Sequence, residues 1–206
     1  MTFAPITSTF SRFFRPFSTS APVRSFPQET QSRNMSNTEQ ATLAAGCFWG
    51  VEHLYRKHFG GKGLLDAKVG YCGGKTSSPT YRAVCSGNTG HAESLRVTFD
   101  PSLVSYRQLL EFFYRMHDAS TPNRQGPDVG TQYRSAIFTH GPEQQKIAEE
   151  ITKKVSEQWY KKPVSTEVVP AGQWWDAEDY HQLYLHNNPA GYECPAHFVR
   201  DFPPLS

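Results

Sequence analysis

Cys47 stands in the run Gly46-Cys47-Phe48-Trp49-Gly50, a thiol followed directly by two aromatic rings. Residues 42–45 read as the end of a short buried strand, and Val51, Leu54, Tyr55 and His58 recur at helical spacing. The cysteine is therefore expected in the first turn of a helix, where unpaired N–H groups and the helix dipole favour negative charge. A thiol so placed is expected to lose its proton readily and to be ionised and accessible, as a nucleophile must be. Gly46 and Gly50 let the backbone turn tightly and approach closely. The pattern describes a reactive thiol beside an aromatic pocket; a buried structural cysteine is the plainer reading of the same five residues.

Polar groups suited to a site cluster in three other segments. Tyr81, His91 and Glu93 lie in a Gly-, Ser- and Thr-rich stretch that runs into apolar alternation. A Glu93 side chain facing a pocket would have its pKa raised by desolvation, stay protonated near neutral pH and donate a proton. A solvated carboxylate at a strand edge is the plainer alternative. Asp128 and Tyr133 supply a second acid and phenol just before another β-type run, and the Tyr133 hydroxyl could donate to a substrate oxygen. Cys194 lies between Pro189, Gly191 and Pro195, which predicts an exposed, mobile loop able to carry its sulfur to a distant one. Cys72 and Cys85 read as inert fillers in or beside ordered elements. Trp174, Trp175, Asp176, Asp179, Tyr180 and His181 read as mainly structural, bracing the site.

The elements that must position these groups alternate along the chain. Leu65, Ala67, Val69 and Tyr71 give a strand ending at Gly73-Gly74, and Leu95, Val97 and Phe99 give another, closed by Asp100-Pro101. Leu109, Phe112, Phe113 and Met116 form a helical stripe with Ser102 or Ser105 as N-cap. Residues 134–139 form a β run, and Pro142 opens a helix carrying Ile147, Ile151 and Val155, with Trp159 nearby. A strand at 166–169 is ended by Pro170, and a last helix is expected over 177–185. This βαβ-rich order predicts one compact α/β (α+β) domain, residues 38–206, with helices packed on a sheet and long loops.

Composition narrows the classes. The 206 residues suffice for one substantial core, and 21 Lys+Arg against 19 Asp+Glu leave a net charge of +2 without a basic block in the body, so nucleic acid is not indicated. No apolar run of transmembrane length occurs, so no membrane association is expected. The four cysteines form no CxxC or zinc-type pairing, so no metal or bound cofactor is expected, and a reducing compartment fits them best. Residues 1–37 differ: Arg12, Arg15, Arg24 and Arg33 stand among Ser, Thr and Phe, with no acid before Glu29. That is the composition of a mitochondrial transit peptide, with Met35 as a second start for a cytosolic form.

Five blocks in order, GCFWG at 46–50, GYCGG at 70–74, PTYRAVCSGNTGHAE at 79–93, DVGTQYRS at 128–135 and NPAGYECPAH at 188–197, closely resemble the A-type peptide methionine sulfoxide reductases. The resemblance covers about residues 42–200 and implies a two-layer α/β sandwich. It implies that Cys47 attacks the sulfoxide sulfur while Phe48 and Trp49 hold the S-methyl group. Glu93 would protonate the oxygen, Tyr81 and Tyr133 would orient it, and Asp128 would act through water. The product is methionine with a sulfenic acid on Cys47. Cys194, in the tail 187–206, matches the resolving cysteine, giving a Cys47–Cys194 disulfide that thioredoxin reduces. Some members have a Gly-rich tail with two resolving cysteines; this tail ends soon after Cys194, with Asp201-Phe202-Pro203-Pro204 in its last residues, so one resolving step is expected. The S epimer, free and protein-bound methionine sulfoxide as substrates, and a monomer follow from the same resemblance. The competing readings are a cysteine hydrolase with His53, His58, His91 or His181 as base, and a binding module for methionine segments.

Overall fold

The structure is a computed structural model that describes residues 38–206, together with residue 2. The expected transit segment in residues 1–37 and the second start at Met35 lie outside the described residues.

Strand β1 (Glu39–Ala45) leads into helix α1 (Phe48–Phe59), which returns through strand β2 (Leu64–Cys72). A short helix α2 (Tyr81–Cys85) precedes strand β3 (Ala92–Phe99) and helix α3 (Tyr106–Met116). A small hairpin, β4 (Arg124–Gln125) with β5 (Asp128–Val129), is followed by β6 (Ser135–Thr139), α4 (Pro142–Val155) and β7 (Glu167–Pro170). Two-residue β8 (Trp175–Asp176) and helix α5 (Tyr184–Asn187) complete the elements.

The main sheet runs β7-β6-β1-β3-β2-β8. Within this sheet β6 and β7 pair in parallel, across the α4 crossover, and its other strand pairs among the described residues are antiparallel. Because β3 runs antiparallel to both β1 and β2, those two point the same way, and β1-α1-β2 is a βαβ unit with a strand inserted between its arms. The expected two-layer α+β sandwich is the architecture found. Ala41, Leu43 and Ala45 of β1 share one core with Leu95, Val97 and Ile137 and with buried side chains of α1, α3 and α4. On the opposite face Ala44, Cys72, Ala92, Ala136 and Phe138 form a smaller cluster covered by Ala171 and Trp174. Cys72 is the buried filler expected of it.

Local signals explain most boundaries. Ser105 is the cap of α3: its hydroxyl accepts from the Gln108 N–H at 3.3 Å while the Gln108 amide oxygen accepts from the Ser105 N–H at 2.8 Å. Ser102 instead bonds Asp100. The last helix is shorter than expected, a 3-10 turn at Asp179–His181 followed by α5. Between them the Gln182 amide takes the place of a strand partner, accepting from Val69 N–H at 3.0 Å and donating to Val69 O at 2.9 Å. Leu183 then turns the chain with φ of 54°. This long-range pairing with β2 interrupts a helix that local periodicity alone would continue.

The tail also departs from expectation. Its loop surface is exposed, yet Cys194 and His197 are buried. Further on, Arg115 donates to the carbonyls of Arg200, Phe202 and Pro203, and Phe202 stacks on Trp159 with centroids 4.7 Å apart. The loop at 187–197 is therefore held on its C-terminal side, through buried Cys194 and His197 and the contacts of residues 200–203. Pro and Gly predicted its irregular backbone correctly but carried no information about what its side chains plug.

Candidate active site

Cys47 is the N-cap of α1, at the C-terminal end of β1. Gly46 precedes it with φ of 91°, and a Cβ there would lie 2.6 Å from Gln125 Cβ. A Cβ on Gly50 would meet His197 Nδ1 at 2.3 Å. Both glycines of the motif therefore answer close approaches: one by the β4 side chain Gln125, the other by the tail imidazole. His197 Nε2 donates to Ala45 O at 2.7 Å, clamping the tail to the residue two before Cys47.

Glu93 projects from β3 beneath the tip of α1 and is 1% exposed. Its Oε2 accepts from the Phe48 N–H at 3.1 Å, and its buried Oε1 has no hydrogen-bond partner among the described residues. Burial pushes its pKa up to about 8; the Phe48 N–H opposes this, and the Asp128 charge adds to it. A carboxyl that is neutral at pH 7 is thus held at the tip of α1, and the rise in pKa on burial is the one expected.

The thiol itself behaves contrary to expectation. Burial first, then the Glu93 charge, push the Cys47 pKa well above its ordinary value; the Trp49 N–H pulls the other way, and Asp128 and Cys194 add to the rise. A helix N-terminus contributes only about 0.3–1 kcal/mol, whereas full burial can move a pKa by about 3 to 5. Moreover, the Phe48 N–H is engaged by Glu93 and not by the sulfur. The resting Cys47 is a protonated, 6% exposed thiol, not the ionised, open one that its position at a helix tip suggests.

Tyr81 opens α2 and Tyr133 closes a 3-10 turn at Thr131–Tyr133. Burial, then the nearby Glu93, raise both phenol pKa values, so both hydroxyls keep their protons. Cys85, close enough to Tyr81 to bear on its phenol, is exposed beside the site and so is not the packed filler expected. Asp128, in β5, accepts from Tyr192 Oη at 2.9 Å through Oδ1, and its buried Oδ2 has no hydrogen-bond partner among the described residues. It links the site to the tail, a contact the expected water-mediated role did not include. Cys194 Sγ donates to Gln125 O at 3.5 Å, and burial pushes its pKa up to about 11.

Phe48 is buried with its ring centroid 5.2 Å from His181 and 6.0 Å from Tyr71. Trp49 stacks on Tyr184 at 3.7 Å and donates from Nε1 to His181 Nδ1 at 3.0 Å. Glu178 accepts from the Tyr81 N–H at 2.9 Å and the Tyr71 O–H at 2.8 Å. The 174–181 segment thus does brace the site, through His181 and through Glu178, which sequence reasoning passed over. Gln125 was passed over too, having no neighbour in sequence that marks it, and His197 was given no role although the 188–197 block ends on it.

The geometry also disposes of a histidine base. His181 is bound to Trp49, His91 joins Gly74 N–H and Thr76 O, and His58 stacks on Phe112. Among the described residues none of these imidazoles, nor His53, hydrogen-bonds Cys47. A buried thiol with a neutral carboxylic acid, two protonated phenols and a second thiol close by defines a thiol-dependent oxidoreductase on an α+β sandwich.

Comparison with known proteins narrows this to one family. The family model for peptide methionine sulfoxide reductase matches residues 39–201. A probable peptide methionine sulfoxide reductase of Schizosaccharomyces pombe is 54% identical over 162 residues, 78% of this chain and 95% of that protein. The structure of Mxr1 from Saccharomyces cerevisiae in reduced form aligns with a TM-score of 0.77 at 43% identity, covering 82% of this chain and 95% of that one. Mxr1 in complex with Trx2 aligns at 0.57 and 28% identity, covering 84% and 97%. The chain belongs to the peptide methionine sulfoxide reductase family and is an oxidoreductase that reduces methionine sulfoxide, a repair of oxidative damage.

Proposed function

We propose that this reduction runs through a Cys47 sulfenic acid and a Cys47–Cys194 disulfide. The observation that carries the reading is the neutral Glu93 carboxyl, one oxygen held by the Phe48 N–H and the other unpartnered at the thiol. The sulfoxide S-methyl packs against Phe48 and Trp49, and its oxygen takes hydrogen bonds from Glu93, Tyr81 and Tyr133. Transfer of the Glu93 proton to that oxygen removes the negative charge a thiolate would face, and the carboxylate left behind accepts the Cys47 proton. The S–O bond of the substrate breaks and an S–O bond forms on Cys47. The substrate sulfur gains two electrons to become methionine, and Cys47 becomes the sulfenic acid.

Cys194 then attacks the sulfenic sulfur, expelling water and closing the disulfide. Asp128, whose charge acts on Cys194 and whose Oδ2 is unpartnered, takes its proton. Thioredoxin, whose part is supported by the Mxr1–Trx2 complex, restores both thiols by exchange. Cys194 is 1% exposed, so the 187–197 loop moves outward to present it. We further propose preference for the S epimer, free and protein-bound substrates, a monomer made of one domain from residue 38, and mitochondrial import directed by residues 1–37 with a cytosolic form from Met35.

Mass spectrometry after one turnover without reductant tests the sequence of steps. It should show a Cys47–Cys194 bridge with stoichiometric methionine, and Cys194→Ser should stall after about one equivalent with thioredoxin as donor. A bridge through Cys72 or Cys85 would overturn the assignment of the tail, and undiminished turnover of Cys194→Ser would overturn the disulfide route.

A further inference from the structure

A cleft of about 370 Å³ starts at the Trp49 indole and follows α1 away from Cys47. Trp49, His53 and Lys57 line it from one face of the helix, while Leu185, His186 and Pro189 form the opposite wall. Its charges are unequal in availability. The Glu52 carboxylate is buried and fully engaged, accepting from Arg56 Nε at 2.9 Å and from the Leu183 N–H at 2.9 Å. Arg56 is held in turn by Glu52, by Ala67 O and by Asp66 at 3.8 Å. Among the described residues, Lys57 has no carboxylate partner within ion-pair distance, and His53 and His186 line the same cleft. The cleft therefore has an apolar wall near the site and a free cation at its far end.

Distance gives this charge a meaning. At about 1.5 Å of rise per residue, Lys57 lies about 12 Å along the helix from Trp49. An extended polypeptide covers about 3.3 Å per residue, so with its oxidised methionine beside Trp49 its third or fourth residue reaches about the level of Lys57. We propose that this cleft is a subsite for protein substrates, selecting segments with an acidic side chain at that distance from the oxidised methionine. The proposal rests on the reductase reading above and names a preference within it. A single amino acid is too short to span the cleft, so discrimination applies to polypeptides alone.

The test compares full-length enzyme with Lys57→Glu and Lys57→Gln, using dithiothreitol as reductant. Substrates are peptides with Glu or Lys placed four residues before or after methionine sulfoxide, and N-acetyl-methionine sulfoxide as a control. For one of the two placements, Lys57→Glu should lower kcat/KM of the Glu peptide by about fivefold through KM and raise that of the Lys peptide. Lys57→Gln should fall between, and the N-acetylated control should not change. Equal effects on all substrates, or none, would overturn the subsite. So would a change seen only when thioredoxin replaces dithiothreitol, which would assign the cleft to the reductant. Failure of the wild-type enzyme to reduce even the control would instead strike at the reductase reading.

Discussion

Replacing Glu93 by Gln should make the protein more stable, by an amount that grows with pH. The side chain is 1% exposed, and its pKa is raised from 4.5 to about 8 by burial, against the Phe48 N–H and with Asp128 adding to the rise. The folded state thus binds a proton that the unfolded chain has released over this interval. The stabilising contribution is complete below about 4.5 and is lost as pH rises through about 8. One step in pKa corresponds to about 1.4 kcal/mol, so the full loss is about 5 kcal/mol. That is a large share of the roughly 5–15 kcal/mol that keeps a domain folded. The amide of Glu93→Gln fits the same space, can accept from the Phe48 N–H and carries no titration.

Urea unfolding of both proteins between pH 5 and pH 8 measures the effect. The stability gap should widen in favour of Glu93→Gln by about 3 to 4 kcal/mol across that interval, with unchanged slopes in urea. Wild-type activity should decline through pH about 8 as the acid ionises, and the variant should lose most of its turnover at every pH because it has no proton to give. Parallel stability profiles for the two proteins would mean that the carboxyl has an ordinary pKa in the folded state. The account of Cys47 chemistry would then fail with it.

Further outcomes follow from particular contacts. Gly50→Ala drives a methyl group to 2.3 Å from His197 Nδ1, so the tail should lift; native-state alkylation of Cys194 should speed up several-fold and thermal stability should fall. Unchanged Cys194 labelling would show that His197 does not hold the tail. Ser105→Ala removes the hydroxyl half of the α3 capping box and should cost about 1 kcal/mol in urea unfolding, with kcat/KM untouched because the cap lies outside the site.

The amino-acid sequence by itself determined the candidate nucleophile Cys47 with its aromatic neighbours, and the helices and strands that carry them. Those depend on spacing along the chain: the Phe48, Val51, Leu54 and Tyr55 stripe, the period of two in β2, and Pro142 at the start of α4. The acid at position 93 was legible as a candidate because burial of a strand carboxyl has one chemical consequence. Only the tertiary structure decided the state of the thiol, the burial of Cys194, the early end of the last helix and the part played by Glu178, Gln125 and His197. Each arises between groups distant in sequence: Phe48 and Glu93 are 45 residues apart, and Ala45 and His197 are 152 apart. Desolvation and Coulomb interaction depend on which atoms surround a group in space, and spacing along the chain does not encode that.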